Sequence, residues 1–240
     1  IKAEFRKLFT TRMWWILSIV MVGYLAFIAI IMALIFTATD DAAAMGGGGP
    51  NLAMSVYSLV NPIGYVFPLI VGSLIFTTEY RNKTITSSLL VEPNRSILMV
   101  SKIIVAMVLG LIYGVIAIAA TIAASAPFLE ILGDGAYLTD PEVWKLIAGA
   151  VWVFVLWSML GVVLGGLIVN QVASIIIILA MTQLVEPILS LGLGFVDSLS
   201  GVSKFLPASS GNAVVGHNFM DMGMGLVDSL TRTQGSLVLL

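Results

Sequence analysis

The chain has 240 residues, of which 59% are hydrophobic and 10% are charged, whereas a soluble domain carries about 25% charged residues. This composition excludes an ordinary soluble globule and predicts an integral membrane protein, because such a surface would aggregate in water. The absence of Cys excludes disulfides and thiolate metal sites, and the net charge of −2 says little because the position of each charge matters more in a membrane.

Residues 1–12 precede the first apolar stretch and have the pattern of an amphipathic helix. Apolar side chains at Ile1, Phe5, Leu8 and Phe9 share one helical face, and most of the charged residues lie on the other. The pattern predicts a helix lying in the membrane interface. The alternative is a simple basic flank of the first span.

Five apolar stretches are long enough to cross a hydrocarbon core of ~30 Å as helices of about 20 residues. They cover residues 13–38, 55–76, 97–124, 143–169 and 172–193. A sixth stretch begins at Gly235, and we expect residues 235–240 to be the first turn of a sixth span that is truncated here. The sequence therefore predicts an all-α polytopic helix bundle forming one transmembrane domain, with six transmembrane helices in the full protein.

The second span carries a polar face. Its members recur at helical spacing and are Tyr57, Asn61, Tyr65, Pro68 and Gly72. Phenols and an amide are costly against lipid, so this face should turn toward protein or a cavity. It could line a substrate route or form ordinary interhelical hydrogen bonds. The prolines of this span, Pro62 and Pro68, predict a kinked helix.

The loop 77–96 between spans two and three is too long for a minimal turn and too short for a domain. Within it, Ile85, Leu89 and Leu90 can share a face of a short helix, which Pro93 ends. Such a helix fits a groove on a partner protein. A solvated hairpin is the alternative.

The fifth span contains the one acid deep in an apolar run, Glu186, which is preceded by Thr182 and Gln183 and followed by Pro187. Counted from Asn170, the carboxylate lies about 24 Å along the helix, toward the outer edge of the membrane. An intramembrane acid is a functional candidate by default, although near the interface it can also be hydrated or hydrogen bonded.

The remaining motifs favour packing over chemistry. Small-residue faces in spans three and four allow close helix contact, and methionines in the outer segment 194–234 more naturally pack a short helix than bind Cu(I). No glycine run is followed by Gly-Lys-Ser/Thr, and the lone His217 has no nucleophile partner. We therefore predict no catalytic residue, no metal site and no enzyme activity in this chain.

The basic residues mark one side of the bundle. Eight of the eleven Lys and Arg residues lie before span one or in and beside the loop 77–96, and most acidic residues lie in the opposite segments. The positive-inside rule therefore places the N-terminus and this loop in the cytoplasm. We expect a multi-pass protein of the cell membrane, of bacterial origin.

These two basic segments carry a family resemblance. The first is Glu4, Lys7, Leu8, Thr10, Thr11 and Arg12, and the second is Glu79, Tyr80, Arg81, Thr84, Ile85, Thr86, Pro93, Arg95 and Lys102. In order and position they resemble the signature of the membrane subunit of ABC-2 type exporters, the permease that works with a separate ATP-binding subunit.

The resemblance implies an architecture and partners. Residues 1–12 would be the elbow helix, and Lys83 to Val91 the coupling helix seated in a cleft of the ATPase subunit, which binds ATP and Mg. The outer segment would hold re-entrant helices before span six. Two permease subunits, identical or different, would pair with two ATPases, with spans two and five near the central interface.

Two sets of candidate residues follow. The coupling set is Glu79, Arg81, Thr84, Ile85, Thr86, Leu89 and Arg95, and the substrate-route set is Tyr57, Asn61, Tyr65, Gln183 and Glu186.

A secondary transporter or channel driven by an ion gradient is one alternative function. Such proteins usually have repeated halves or several intramembrane charges, whereas this chain has one intramembrane acid and two halves that do not resemble each other. A membrane anchor or assembly factor is the other.

Overall fold

The structure is a computed structural model that describes residues 12–38, 49–85, 90, 94–133, 135–194, 205–216 and 230–240. These residues form helices and no strand, so the predicted all-α fold is confirmed. Five helical units are long and apolar enough to cross a membrane, and we call them spans one to five: Met13–Ala38, Gly49–Arg81, Ser96–Leu132, Pro141–Leu167 and Gln171–Ser190. The predicted amphipathic segment 1–12 lies outside the described residues except for Arg12.

The spans comprise eight α-helices, and two shorter helices follow them. In chain order they are α1 Met13–Ala38, α2 Gly49–Ser58, α3 Val60–Gly64, α4 Val66–Arg81, α5 Arg95–Leu132, α6 Pro141–Leu167, α7 Gln171–Ala180, α8 Glu186–Gly194, α9 Pro207–Val215 and α10 Arg232–Leu239. A π-helical segment, Met181–Val185, joins α7 to α8 within span five.

Span two is interrupted twice, as its prolines predict. The breaks lie at Leu59 and Tyr65, each three residues before a proline, Pro62 or Pro68. Proline has no N–H to donate to the carbonyl four residues earlier, and its ring crowds that carbonyl. The regular helix is therefore interrupted at both places, while Leu59 and Tyr65 keep helical dihedral angles.

Helix ends depend on capping residues as well as on apolar length, so several ends differ from the apolar stretches. The side chain of Asn94 caps the start of α5, that of Asp140 caps α6, and that of Asn170 caps α7. Helix α5 continues past residue 124, through Pro127, to Leu132. Span two begins six residues earlier than the predicted Ser55, since Gly49 starts its first helix.

Span two lies at the centre of the bundle. In its most apolar stretch 83% of the residues are buried, against 28% in span one and 22% in span five. Spans one and five therefore have surface available for lipid or another subunit, whereas span two has little. Of the two spans that the resemblance places near a central interface, only span five has an exposed face in this structure.

Close backbone contact joins span two to span four. A Cβ atom built on Gly161 would lie 2.1 Å from the carbonyl oxygen of Leu69, and one on Gly72 would lie 2.1 Å from that of Ser158. A third contact of this kind joins Gly165 to Ser73. Small residues that allow such approach are the usual means of packing helices in lipid, where no hydrophobic effect drives them together.

Helix α9 lies among the spans. Its Val214 carbonyl packs against Gly149 of span four, and its Gly211 lies beside Asn61 of span two and Trp157 of span four. Trp157 is about 24 Å along span four from its first residue, so α9 reaches deep into the bundle. Helix α10 packs on α9 and begins at Arg232, earlier than the predicted Gly235, because Thr231 and Gln234 form a capping box.

We predict that Gly161→Ala destabilises the protein, because its methyl group would overlap the Leu69 carbonyl oxygen. Overpacking of this kind costs about 1–3 kcal/mol, which exceeds the helix propensity that alanine adds. Thermal unfolding in detergent measures the effect. Gly23→Ala is the matched control, since a Cβ atom there meets nothing within 4 Å. Equal melting temperatures for the two variants would contradict the close contact.

Candidate functional site

A buried ion pair joins spans two and three beside the loop that connects them. Lys102 Nζ lies 3.0 Å from Glu79 Oε2, and the two side chains are 0% and 5% exposed. The same ammonium group donates to the carbonyl of Ile75 at 3.3 Å and lies 4.8 Å from the centre of the Phe76 ring. Glu79 therefore points into the bundle and holds the end of span two, and its carboxylate is not available to a partner protein.

A second polar contact joins the end of span two to span five. Arg81 Nη1 donates to Gln171 Oε1 at 3.2 Å. Helix α4 then ends, because Lys83 takes a left-handed conformation with φ of 55° and the N–H of Thr84 bonds back to the carbonyl of Glu79 at 3.0 Å. The start of the loop is thus fixed to two other spans within a few residues.

The structure describes only some of the other coupling candidates. Thr84 is exposed and Ile85 is half-buried, at the start of the loop. Arg95 begins helix α5, and its side chain lies outside the described residues, as do Thr86 and Leu89. The short coupling helix predicted over 83–91 therefore stays a prediction.

The polar face of span two is buried, and each side chain reaches a different part of the same chain. Tyr57 Oη donates to the carbonyl of Ala136 at 2.9 Å, and Asn61 Nδ2 donates to Asn212 Oδ1 of α9 at 2.6 Å. Tyr65 Oη donates to the carbonyl of Thr182 in span five at 2.9 Å. Of the two alternatives left open by the sequence, interhelical hydrogen bonding describes this face better than a substrate route.

The contact of Tyr65 has a local cause in span five. In the π-helical segment the N–H of Glu186 bonds to the carbonyl of Met181, one residue earlier than in an α-helix. The Thr182 carbonyl is left without that donor, and Pro187 has no N–H to replace it. The tyrosine hydroxyl satisfies this carbonyl from span two, and its ring packs on Trp157 with the ring centres 4.5 Å apart.

Glu186 connects span five to α9. Its half-buried carboxylate accepts a hydrogen bond from the backbone N–H of Ala208, in the first turn of α9. The N-cap residue Leu206 has no side chain that could fill this role. The intramembrane acid thus caps α9 from another helix.

Gln183, three residues before Glu186, is exposed on the surface of span five. The structure does not bring it together with the buried polar face of span two.

Two buried polar atoms next to α9 have no hydrogen-bond partner among the described residues. They are Asn61 Oδ1 and Trp157 Nε1, an acceptor and a donor. Both lie within about 3.5 Å of where a Cβ atom on Gly211 would be. A polar group without a partner is costly in an apolar interior, so a further hydrogen bond to either atom would stabilise the junction of α9 with spans two and four.

Several residues of this network were not among the sequence candidates. No local sequence pattern marks Gln171, Trp157 or Asn212, because each contacts a residue that is distant in sequence. Lys102 had a signal, since a lysine inside an apolar stretch needs a nearby acid and Glu79 closes the preceding span. Among the described residues no group of His, Asp and Glu could hold a metal ion, and the outer segment around His217 lies outside them.

A bundle of five apolar spans, with short helices folded back among them, defines a polytopic α-helical membrane protein. The family described as "ABC-2 family transporter protein" matches residues 1–193. The chain belongs to this family of ABC transporter permeases, which confirms the resemblance seen in the two basic segments. The family is that of a membrane subunit and not of the ATPase. No curated protein and no solved structure matches the chain.

We predict that Glu186→Leu loosens α9 and that Glu186→Gln does so far less, because only Leu removes the acceptor of the Ala208 N–H. Leaving a buried N–H without an acceptor costs about 1–3 kcal/mol, which corresponds to roughly fivefold or more in the population of the open state. The chain has no Cys, so Ser210→Cys, at a fully buried position of α9, reports opening by its rate of maleimide labelling.

The control is Thr233→Cys at an exposed position of α10, which should react at the same rate in all backgrounds. If Ser210→Cys reacts equally fast with Glu, Gln or Leu at position 186, the capping role of the carboxylate is wrong.

Proposed function

We propose that this chain is the permease subunit of an ATP-driven ABC-2 type exporter, in which a separate ATPase subunit acts on the spans through the loop 77–96. The observation that carries the proposal is the attachment of this loop at its base. Glu79 joins span two to span three, and Arg81 joins span two to span five. A force on the loop would therefore reach three spans at once.

The partners follow from the family. A permease of this kind associates with an ABC ATPase, which would hold ATP and Mg, and with a second permease subunit that is either identical or different. The distribution of basic residues supports an N-terminus and loop on the cytoplasmic side of a bacterial cell membrane. Transport would be directed outward.

The route of the substrate is better placed along span five than along the polar face of span two. Tyr57, Asn61 and Tyr65 are buried by their own chain, so a route past them would need their bonds to break. Span five is largely uncovered, with Gln183 exposed and Glu186 half-buried. A second permease subunit that faces span five would enclose these two side chains.

We predict that Leu89→Asp abolishes coupling, since a carboxylate on the apolar face of the loop would be desolvated in a cleft of the ATPase. Co-purification of the ATPase in mild detergent and permease-dependent stimulation of ATP hydrolysis in vesicles are the two measurements. Leu138→Asp, at an exposed position near the opposite ends of the spans, is the matched control. If Leu89→Asp still forms the complex and stimulates ATP hydrolysis fully, the coupling role is wrong. If the unsubstituted chain co-purifies with no ATPase, an ion-driven transporter or a membrane anchor is favoured.

We predict that Glu79→Leu or Lys102→Met alone lowers stability by about 3–5 kcal/mol, because each leaves a buried charge without its partner. The double variant should recover the melting temperature, since two apolar side chains of similar size pack without that cost. Stimulation of ATP hydrolysis should stay low in the double variant if the ion pair transmits the motion of the loop. Recovery of both stability and stimulation would show that the pair serves folding only.

A further inference from the structure

A cavity of about 630 Å³ lies where the basic ends of spans one, two and five meet. Polar and apolar side chains both line it. They are Tyr80, Arg81, Asn170 and Gln171 on the polar side, and Met13, Val169, Val172 and Ile175 on the apolar side. We propose that this cavity binds the headgroup of an anionic phospholipid, with the phosphate on Arg81 and the acyl chains along span five. The proposal requires only that the chain lies in a membrane, and it is independent of coupling to an ATPase.

The charge of the cavity favours an anion. Among the described residues no carboxylate lines it, and Arg81 bonds there to the neutral amide of Gln171. The nearest acid in sequence, Glu79, is buried and neutralised by Lys102. An arginine has five N–H donors in a planar fork, so one bond to Gln171 leaves donors that match two oxygens of a phosphate.

The walls favour an amphiphile over a soluble anion. Val169 is 61% exposed, Val172 is 65% exposed and Met13 is 40% exposed, so apolar surface flanks the guanidinium group. A phosphate free in water gains nothing from such surface, whereas an acyl chain that covers it contributes roughly 25 cal/mol for each Å² of apolar area.

The depth of the cavity fits a lipid headgroup. Met13 is the first residue of span one, Arg81 is the last of span two and Gln171 is the first of span five. Arg81 lies five residues, or ~7.5 Å along the helix, beyond the apolar stretch that ends at Phe76, and the headgroup region begins at the edge of the hydrocarbon core. Basic pockets between transmembrane helices on the cytoplasmic side bind lipid headgroups by this combination of charge and depth.

The test is native mass spectrometry of the purified full chain after reconstitution in phosphatidylcholine vesicles with or without phosphatidylglycerol. We expect phosphatidylglycerol to be retained in preference to phosphatidylcholine, and Arg81→Gln to lower its retention about tenfold, as the loss of a charge-assisted bond requires. Arg81→Lys, which keeps the charge without the fork, should retain an intermediate amount. Arg232→Gln, at the opposite ends of the spans, is the matched control and should retain as much as the unsubstituted chain.

Two further arms separate the lipid from other occupants. The melting temperature of the unsubstituted chain should rise with phosphatidylglycerol, and this rise should be lost in Arg81→Gln. If inorganic phosphate alone gives the same rise, the site binds a soluble anion and the lipid proposal is overturned. If Arg81→Gln lowers the melting temperature equally with and without phosphatidylglycerol and leaves its retention unchanged, a protein segment contacts the guanidinium and the proposal is wrong.

Discussion

Polar groups inside a membrane find no water, so each must be satisfied by another part of the protein, and span two is where this constraint shapes the structure most. It is the most buried span, and it also carries the most polar face. Its polar side chains therefore bond to partners on different elements: Tyr57 to the segment before span four, Asn61 to α9, Tyr65 and Arg81 to span five, and Glu79 to span three. The positions of the neighbouring elements therefore depend on the hydrogen bonds that the polar side chains of span two require.

The glycine contacts with span four complement these bonds. Hydrogen bonds between membrane helices contribute about 0.6 kcal/mol on average, so the polar contacts of span two together amount to only a few kcal/mol. They select the partner and the register, while the close approach of Gly72 and Gly161 provides the continuous packing that holds spans two and four together. Spans two and four then form a rigid centre to which the other spans are attached.

The sequence predicted the class of fold and the identity of the spans, because apolar length and proline position act locally. It also identified the polar face of span two and the acid of span five as features that need an explanation. It did not predict their partners, which are the side chain of Asn212 and the backbone N–H of Ala208. Both lie in α9, and the position of this short helix depends on the packing of the whole bundle. Glu79 illustrates the same limit: its motif marked it as a coupling residue, but only the position of Lys102 shows that it faces inward.

Span five differs from the rigid centre in what holds it. Only 22% of its most apolar stretch is buried, so little packing within the subunit fixes its position. Three polar contacts hold it instead, namely Arg81 to Gln171 at its start, Tyr65 to Thr182 at the π-helical segment, and Glu186 to α9 beyond it. The first contact lies at the base of the loop 77–96. The other two lie beside Pro187 and the π-helical segment, where the regular hydrogen bonds of the helix are interrupted. A change at the base of the loop therefore acts on the span that is least constrained by packing. The same span carries the exposed Gln183 and the half-buried Glu186. The proposed substrate route therefore follows span five, the span that packing constrains least, and not the more polar span two.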